Sequence, residues 1–280
     1  MAAASLAISA GGVLEMPDGV PVVEFKDVSI GFDQNEVLRD ISFSVERGET
    51  RIILGPAGCG KSTLLKLAND LIEPDSGEIS IFGRKLSGMT EREVYAMRAH
   101  VGMVFQESAL FDSMTVEDNV AYRLHEERVP DAEAHERVVE VLKFVELEHA
   151  IAKFPSELSG GMRRRVSIAR AIISHPDLIL YDSPTGGLDP ITSTTIIELV
   201  VKQRDVSHTT SLLITHRLQD AFTLATHCWD VAANAMVKIP DGGLDANTKF
   251  LVLNEGKVVF DGTTRELTHS QDPWLKAYLE

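Results

Sequence analysis

Residues 55–63 read GPAGCGKST, a match to the pattern G-x-x-x-x-G-K-[ST]. The segment lies between a short apolar run, TRIIL at 50–54, and a helical run from Lys61 to about Leu71. That is the strand-to-helix setting the pattern requires. Gly55, Gly58 and Gly60 allow the backbone to curl and approach an anion with no side chain in between. Pro56, Ala57 and Cys59 fill the remaining loop positions, and Cys59 reads as a small loop residue that bound nucleotide would shield from alkylation. Converging amides and the start of a helix both favour a phosphate. In such a loop Lys61 holds the β- and γ-phosphates, the Ser62 hydroxyl ligates magnesium, and Thr63 adds an α-phosphate contact. An ordinary glycine-rich turn is the bland alternative, and it does not account for the flanking strand and helix.

Working outward, apolar runs alternate with helical stretches. EISIF, VGMVF, LILYD and SLLIT read as strands, and 90–99, 115–124, 131–146, 159–174, 190–204 and 217–226 as helices. This alternation predicts an α/β fold with a mainly parallel sheet covered on both faces. The first strands, VVEFKDVSI and VLRDISFSV, are joined by a turn-rich link at 31–36 and read as antiparallel. FLVLNEGKVVF reads as a hairpin around 254–256. The polar helices between 90 and 148 suit a subdomain off the main sheet. LILYD ends in Asp182, and such an apolar strand is expected to run beside the phosphate-loop strand, its carboxylate holding magnesium directly or through water. Many buried strands end in Asp, so the reading rests on the pairing with the loop.

Bulk properties narrow the field. The chain has 280 residues and a formal net charge of -15, which argues against broad binding to nucleic acid. The two cysteines, Cys59 and Cys228, form no disulfide framework, as expected for a reducing cytosol. No stretch reaches about 18 apolar residues, so any membrane role has to come through a partner. Residues 1–20, small and weakly apolar without a basic start, read as a flexible leader. The remaining histidines lack metal spacing, and the basic run at 163–165 is too short to make a nucleic-acid site.

Further segments give a specific resemblance. LSGGM at 158–162, followed by RRRVSIARA, resembles the signature motif of ABC ATPases. Gln106 after VGMVF resembles the Q-loop glutamine, Asp189 in GGLDP the D-loop aspartate, and His216 in LLITHR the switch histidine. Phe32 stands where that family places an aromatic against adenine, though a plain core phenylalanine is the alternative. The resemblance runs from about Val22 to Leu267. It implies a P-loop NTPase of ABC type, with an antiparallel β subdomain and a helical subdomain, that binds ATP and Mg2+ and hydrolyses ATP. It also implies a head-to-tail dimer, in which Ser159, Gly160 and Gly161 face the γ-phosphate held by a second, identical ATPase subunit. Lys61, Asp182, His216 and Gln106 are the implied catalytic residues, together with Ser183 at the position after Asp182, and Ser62, Gln106 and Asp182 stand around the metal. FQESALFDSMTVEDNVAYRL, SGGMRRRVSIARAI and LDPITS resemble more narrowly the ATPases of Mla/Mce-type phospholipid transporters. Integral membrane permease subunits, with periplasmic lipid-binding components behind them, are the implied partners, and the cytoplasmic side of the inner membrane is the implied location. An amino-acid importer ATPase is the alternative. Residues 108–122 would contain the groove for the permease, with Leu110, Phe111 and Met114 suited either to docking or to the core.

Two departures stand out. After Asp182 the family has a glutamate that orients the attacking water; here it is Ser183. Losing a positioned base typically costs about 10²–10⁴ in rate. Hydrolysis is then slow, or another group such as His216 places the water, or a different chain completes the dimer. The second departure is an insertion at about 228–248, where Trp229, Val231, Met236 and Ile239 suit an extra hairpin that packs or regulates. On these readings the ATPase domain spans 21–267, with its helical subdomain at about 90–175. Residues 268–280 form a helical tail whose Trp274 and Leu275 pack on the domain or on a partner.

Overall fold

The structure, a computed structural model, describes residues 16–280 except Asp18 and Gln34. The leader expected over 1–20 therefore lies, but for its last few residues, outside the described residues. In chain order the elements are β1 (Val23–Phe32), β2 (Asn35–Val45), β3 (Thr50–Leu54), α1 (Lys61–Ala68), β4 (Ser76–Ile81), β5 (Arg84–Lys85), α2 (Glu91–Arg98), β6 (Val101–Val104), α3 (Val116–Glu126), α4 (Asp131–Phe144), α5 (Gly160–Ile172), β7 (Leu178–Asp182), α6 (Pro190–Ser207), β8 (Thr210–Ile214), α7 (Leu218–Thr226), β9 (His227–Asp230), β10 (Ala235–Lys238), β11 (Thr248–Asn254), β12 (Lys257–Thr263), α8 (Thr264–Thr268) and α9 (Pro273–Leu279).

The central sheet runs in the order β12-β11-β3-β8-β7-β6. Of its five pairings, four are parallel and β11 with β12 is antiparallel. Successive side chains on a strand point to opposite faces, and the burial follows that rule. Ile52, Tyr181, Leu213 and Phe250 enter the core on one face, with residues from α3 to α7. Ile53, Leu180, Leu212 and Leu251 enter the core on the other, with α1 and the antiparallel sheet β2-β1-β4-β5. Both faces are thus covered, which explains why these strands read as unbroken apolar runs. The polar helix α2 sends Met97 into the antiparallel-sheet core, whereas α3 and α4 pack with α5 on the opposite face.

The expectation that LILYD runs beside the phosphate-loop strand is corrected: β8 lies between β3 and β7. Two apolar strands of equal length cannot be ordered from their own sequences, because pairing partners are set by the crossovers. The link at 31–36 is also shorter than expected, since β1 and β2 continue almost to its tip and pair Phe32 with Asn35. β11 and β12 turn through Glu255 and Gly256, both at positive φ, which suits the right-handed twist of a hairpin.

The insertion forms the hairpin β9–β10, pairing Trp229 with Met236. Trp229 and Met236 pack on the helical-face core, while Val231 at the tip is 77% exposed. Lys202 of α6 lies over the Trp229 ring, 5.0 Å from its centroid. In the tail, Leu275 is buried and Trp274 packs on the same core, so the described tail docks on its own domain.

Candidate functional site

Residues 55–63 leave β3 and enter α1 through a loop with Gly55 at φ 145°, Gly58 at 77° and Gly60 at 98°. The glycines at both ends are also required by space. A Cβ on Gly55 would lie 2.3 Å from the Leu253 carbonyl oxygen, and one on Gly60 would lie 2.5 Å from Leu38 Cδ2. Leu64, Leu65 and Leu67 of α1 are fully buried, which anchors the helix behind the loop by several kcal/mol at about 1.5–3 kcal/mol per leucine. No side chain caps the start of α1, and its first turn carries no acidic residue. Its orphan amides are therefore available to an anion, and nothing nearby on the helix repels one.

Lys61 Nζ folds back across this loop, donating to the carbonyl oxygens of Gly55 at 2.8 Å and Pro56 at 2.7 Å. It also lies 3.7 Å from Cys59 Sγ. Pro56, Ala57 and Gly58 are exposed, Cys59 and Gly60 are buried, and Thr63 is half-buried in the first turn of α1.

Ser62 Oγ donates to Asp182 Oδ1 at 3.2 Å. The carboxylate thus reaches the loop even though β8 intervenes, because β7 extends to pair Asp182 with Ile214 at the end of β8. Burial pushes the Asp182 carboxyl above the usual carboxylate range, opposed by the Ser62 hydroxyl and the charges of Lys66, Lys61 and Arg164. A half-buried carboxylate beside a hydroxyl is an oxygen pair of the kind magnesium accepts, the rest of its shell coming from water and phosphate. Among the described residues no cluster of three or more His, Cys, Asp and Glu could hold a metal. The donor set therefore fits a cation shared with a phosphate better than one caged by protein.

Ser183 follows at φ 47° and is 7% exposed. Its amide donates to Ile214 O at 3.0 Å, and its carbonyl accepts from the Gly186 amide at 2.9 Å. His216 lies two residues beyond the Asp182–Ile214 register pair and is exposed. Gln106, after β6, is exposed as well.

Ser159 caps α5, accepting from the Met162 amide at 3.2 Å. Gly161 is held close to α6, where a Cβ would lie 2.4 Å from Thr192 Cγ2. Asp189 caps α6, accepting from the Thr192 amide at 3.0 Å and the Thr192 hydroxyl at 2.6 Å, bonds that hold its carboxyl below the ordinary range. A cleft of about 190 Å3 is lined by Gln106, Gly160, Arg164, Gly186 and Leu188 among others, so the residues of Q-loop, signature and D-loop type share one surface. Phe32 is 48% exposed, which rules out the reading of a core phenylalanine.

Two residues that bind this site together were not singled out from the sequence. Arg164 is 4% exposed, and its guanidinium donates to the carbonyls of Phe105, Gln106, Ser183 and Gly186. Only its buried Nε lacks a protein partner. The available signal was helical spacing: Arg164 shares a stripe with Ile168, Ala171 and Ile172, and an arginine in an apolar stripe is a buried one. The other is Tyr278, whose hydroxyl accepts from the Gly55 amide at 2.9 Å.

Comparison with known proteins gives consistent results. Residues 38–186 match the ABC transporter family. The chain is 35% identical, over 92% of its length and 88% of the relative's, to the intermembrane phospholipid transport system ATP-binding protein MlaF of Escherichia coli (strain K12). It is also 35% identical, over 98% of its length and 79% of the relative's, to the chloroplastic protein TRIGALACTOSYLDIACYLGLYCEROL 3 of Arabidopsis thaliana. Among solved structures it resembles a dimeric ATP-binding cassette in a post-hydrolysis state with ADP and Pi, at TM-score 0.72 and 28% identity over 86% of this chain and 98% of that one.

Proposed function

This chain belongs to the ABC transporter family, and from that premise we propose that it is the ATP-binding and ATP-hydrolysing subunit of a membrane phospholipid transporter. The observation that carries the ATPase reading is the 3.2 Å contact between Ser62 and Asp182 beneath an uncapped helix start. Similarity over nearly the whole chain to a phospholipid transport ATP-binding protein carries the cargo.

Each residue then has a task. Phe32 stacks on the base. The loop amides and Lys61 bind and orient the phosphates, and Thr63 adds a contact at the first turn of α1. Ser62 and Asp182 would hold magnesium through their oxygens, and Gln106 would serve the same metal. The chemistry that magnesium would supply there is neutralisation of phosphate charge. Ser183 cannot take a proton from water as a glutamate does, so His216 is the group at this edge of the sheet suited to position it.

Ser159, Gly160 and Gly161 lie on a separate helix start and serve a phosphate bound by a second copy, in a head-to-tail dimer. Supporting this, Ile191, two residues after Asp189, is 82% exposed, a large apolar side chain suited to burial against a partner. No described helix is long and apolar enough to cross a membrane, so coupling to a permease is by docking. The exposed Phe105, Phe111 and Tyr122 line a groove of about 330 Å3 suited to an apolar segment of that permease. Leu110 packs on the core and leaves the docking to the aromatics. Residues 21–267 form the cassette, at the cytoplasmic face of the inner membrane, with periplasmic lipid-binding components acting beyond the permease.

The test is ATP hydrolysis and phospholipid movement by the chain copurified with its membrane partner in proteoliposomes, wild type beside Lys61→Ala. Turnover and phospholipid transport that both require Lys61 support the reading. ATP-dependent turnover indifferent to added phospholipid, with transport of an amino acid, would replace the cargo.

A further inference from the structure

We propose that the C-terminal helix α9 is a strut for the phosphate loop, with Tyr278 as a positioning residue that sets the affinity for nucleotide. The proposal rests on the assignment of residues 55–63 as the nucleotide site.

The amide of Gly55 is the first beyond the β3 ladder, whose last pairing on the β11 side is Leu54 with Val252. A half-buried amide there needs an acceptor, and none comes from the sheet. Tyr278 supplies it from more than two hundred residues away, at 2.9 Å. The hydroxyl is not placed by chance contact. The Tyr278 ring stacks on Trp274, centroids 5.3 Å apart and planes within 5° of parallel. Leu275 between them is 2% exposed in the main core, and Asp272 caps the helix by accepting from the Leu275 amide at 2.9 Å. Aromatic stacking, a core anchor and a cap therefore hold one oxygen against one amide.

What the strut holds is the hinge of the cradle. Gly55 is at φ 145°, a conformation open to glycine and almost no other residue. Its carbonyl is one of the two that receive Lys61 Nζ. The Cys59 thiol belongs to the same cluster, 7% exposed and 3.7 Å from the ammonium. The Gly55 N–H belongs to the Leu54–Gly55 peptide and its carbonyl to the next one, so the bond to Tyr278 restrains the acceptor on which the phosphate-binding lysine rests through the φ and ψ of Gly55. Freed from Tyr278, the Leu54–Gly55 peptide gains freedom, Gly55 can change its φ and ψ, and both Lys61 and Cys59 would sample other positions. Preorganisation of this kind raises affinity by lowering the ordering cost of binding. It leaves chemistry at saturation alone, because the bound phosphate then orders the loop itself.

The test uses Cys59 as a reporter in the full chain. Cys59 and Cys228 are the two cysteines, so Cys228→Ser leaves one thiol. In that background Tyr278→Phe keeps the ring and deletes the hydroxyl. The expected results are several-fold faster alkylation of Cys59 by N-ethylmaleimide without nucleotide and equal rates at saturating ATP. ATP affinity should weaken roughly three- to tenfold, the value of one neutral hydrogen bond. KM should rise with it and kcat stay unchanged. A chain ending at Ser270, which lacks α9, should change in the same direction and further. Wild-type affinity and Cys59 reactivity in either variant would overturn the strut, as would a fall in kcat at unchanged KM. Lys61→Ala separates the two failures. If it abolishes ATP binding while Tyr278→Phe does nothing, the strut alone is wrong; if it binds ATP normally, the nucleotide site is wrong and the strut falls with it.

Discussion

Nη1 of Arg164 reaches the carbonyl oxygen of Ser183 at 3.4 Å and that of Phe105 at 2.9 Å. One buried guanidinium on α5 therefore ties the segment after β6 to the segment after β7. Both terminal nitrogens donate only to main-chain oxygens, so the guanidinium fixes backbone and leaves side chains free. Desolvation lowers its pKa, partly offset by the nearby carboxylates of Glu107 and Asp182. Arg164→Lys keeps the charge but loses the planar fork that spans these carbonyls. It should cost on the order of 2–3 kcal/mol in urea unfolding and lower kcat about tenfold. Unchanged kcat in a stably folded variant would reduce Arg164 to a packing role.

Ser183→Glu should raise steady-state turnover by at least about tenfold, because it supplies the base whose absence typically costs about 10²–10⁴. Steady-state phosphate release at saturating MgATP would measure it. A fall, or no change, would mean that the pocket at residue 183 is built around serine and that His216 places the water well enough without a second base, which His216→Ala would then test.

Asp182 gives a pH dependence with a definite sign. Its folded pKa is raised by burial, so the folded protein holds this proton over a window in which the unfolded chain has released it. Stability from this group is present below the unfolded value and is lost as pH rises through the window. At neutral pH the buried carboxylate is therefore a stability cost in the absence of magnesium. Asp182→Asn should raise the melting temperature of the nucleotide-free protein at pH 7, and should abolish the added stabilisation by MgATP over ATP alone. In the wild type, the MgATP increment should fade on acidification at a pH above that of an ordinary aspartate. Thermal melts with and without magnesium across pH would check both effects.

Phe32→Ala removes an aromatic that is 48% exposed and absent from both cores. Stacking is worth about 0.5–1.5 kcal/mol beyond area burial, so ATP affinity should weaken about three- to tenfold with little change in stability. Competition with a fluorescent nucleotide and a parallel urea melt would distinguish this from a structural loss. An equal loss for nucleoside-free triphosphate would show that no base contact had been removed.

The legible parts of this molecule are those governed by local rules. The GPAGCGKST loop and the apolar strands follow from spacing and turn chemistry over a few residues. Strand order did not follow, because β8 and β7 look alike in composition and only the packed crossovers place one inside the other. In the sequence Arg164 stands within a basic run, and charge is conspicuous there while a stripe on a helix has to be counted. Tyr278 was invisible for a stronger reason. Its partner is a glycine amide, which carries no side-chain signature, at a separation that only the closed fold brings together. Ser183 was conspicuous, because it breaks an expected pair, but its consequence depends on geometry.

The place of β3 in the sheet bears on how the protein is made. Both strands that flank it, β8 and β11, come from residues 210–254, late in the order of synthesis. A nascent chain emerging from the ribosome N-terminus first exposes its glycine-rich loop long before either neighbour has been translated. Until then the strand ahead of that loop has no ladder, and Asp182 has no β8 to lie against. ATP, abundant in the cell, therefore cannot help the emerging chain to fold at this site. It can only reward a chain that is nearly complete, which leaves the apolar strands Thr50–Leu54 and Leu178–Asp182 in need of shelter during synthesis.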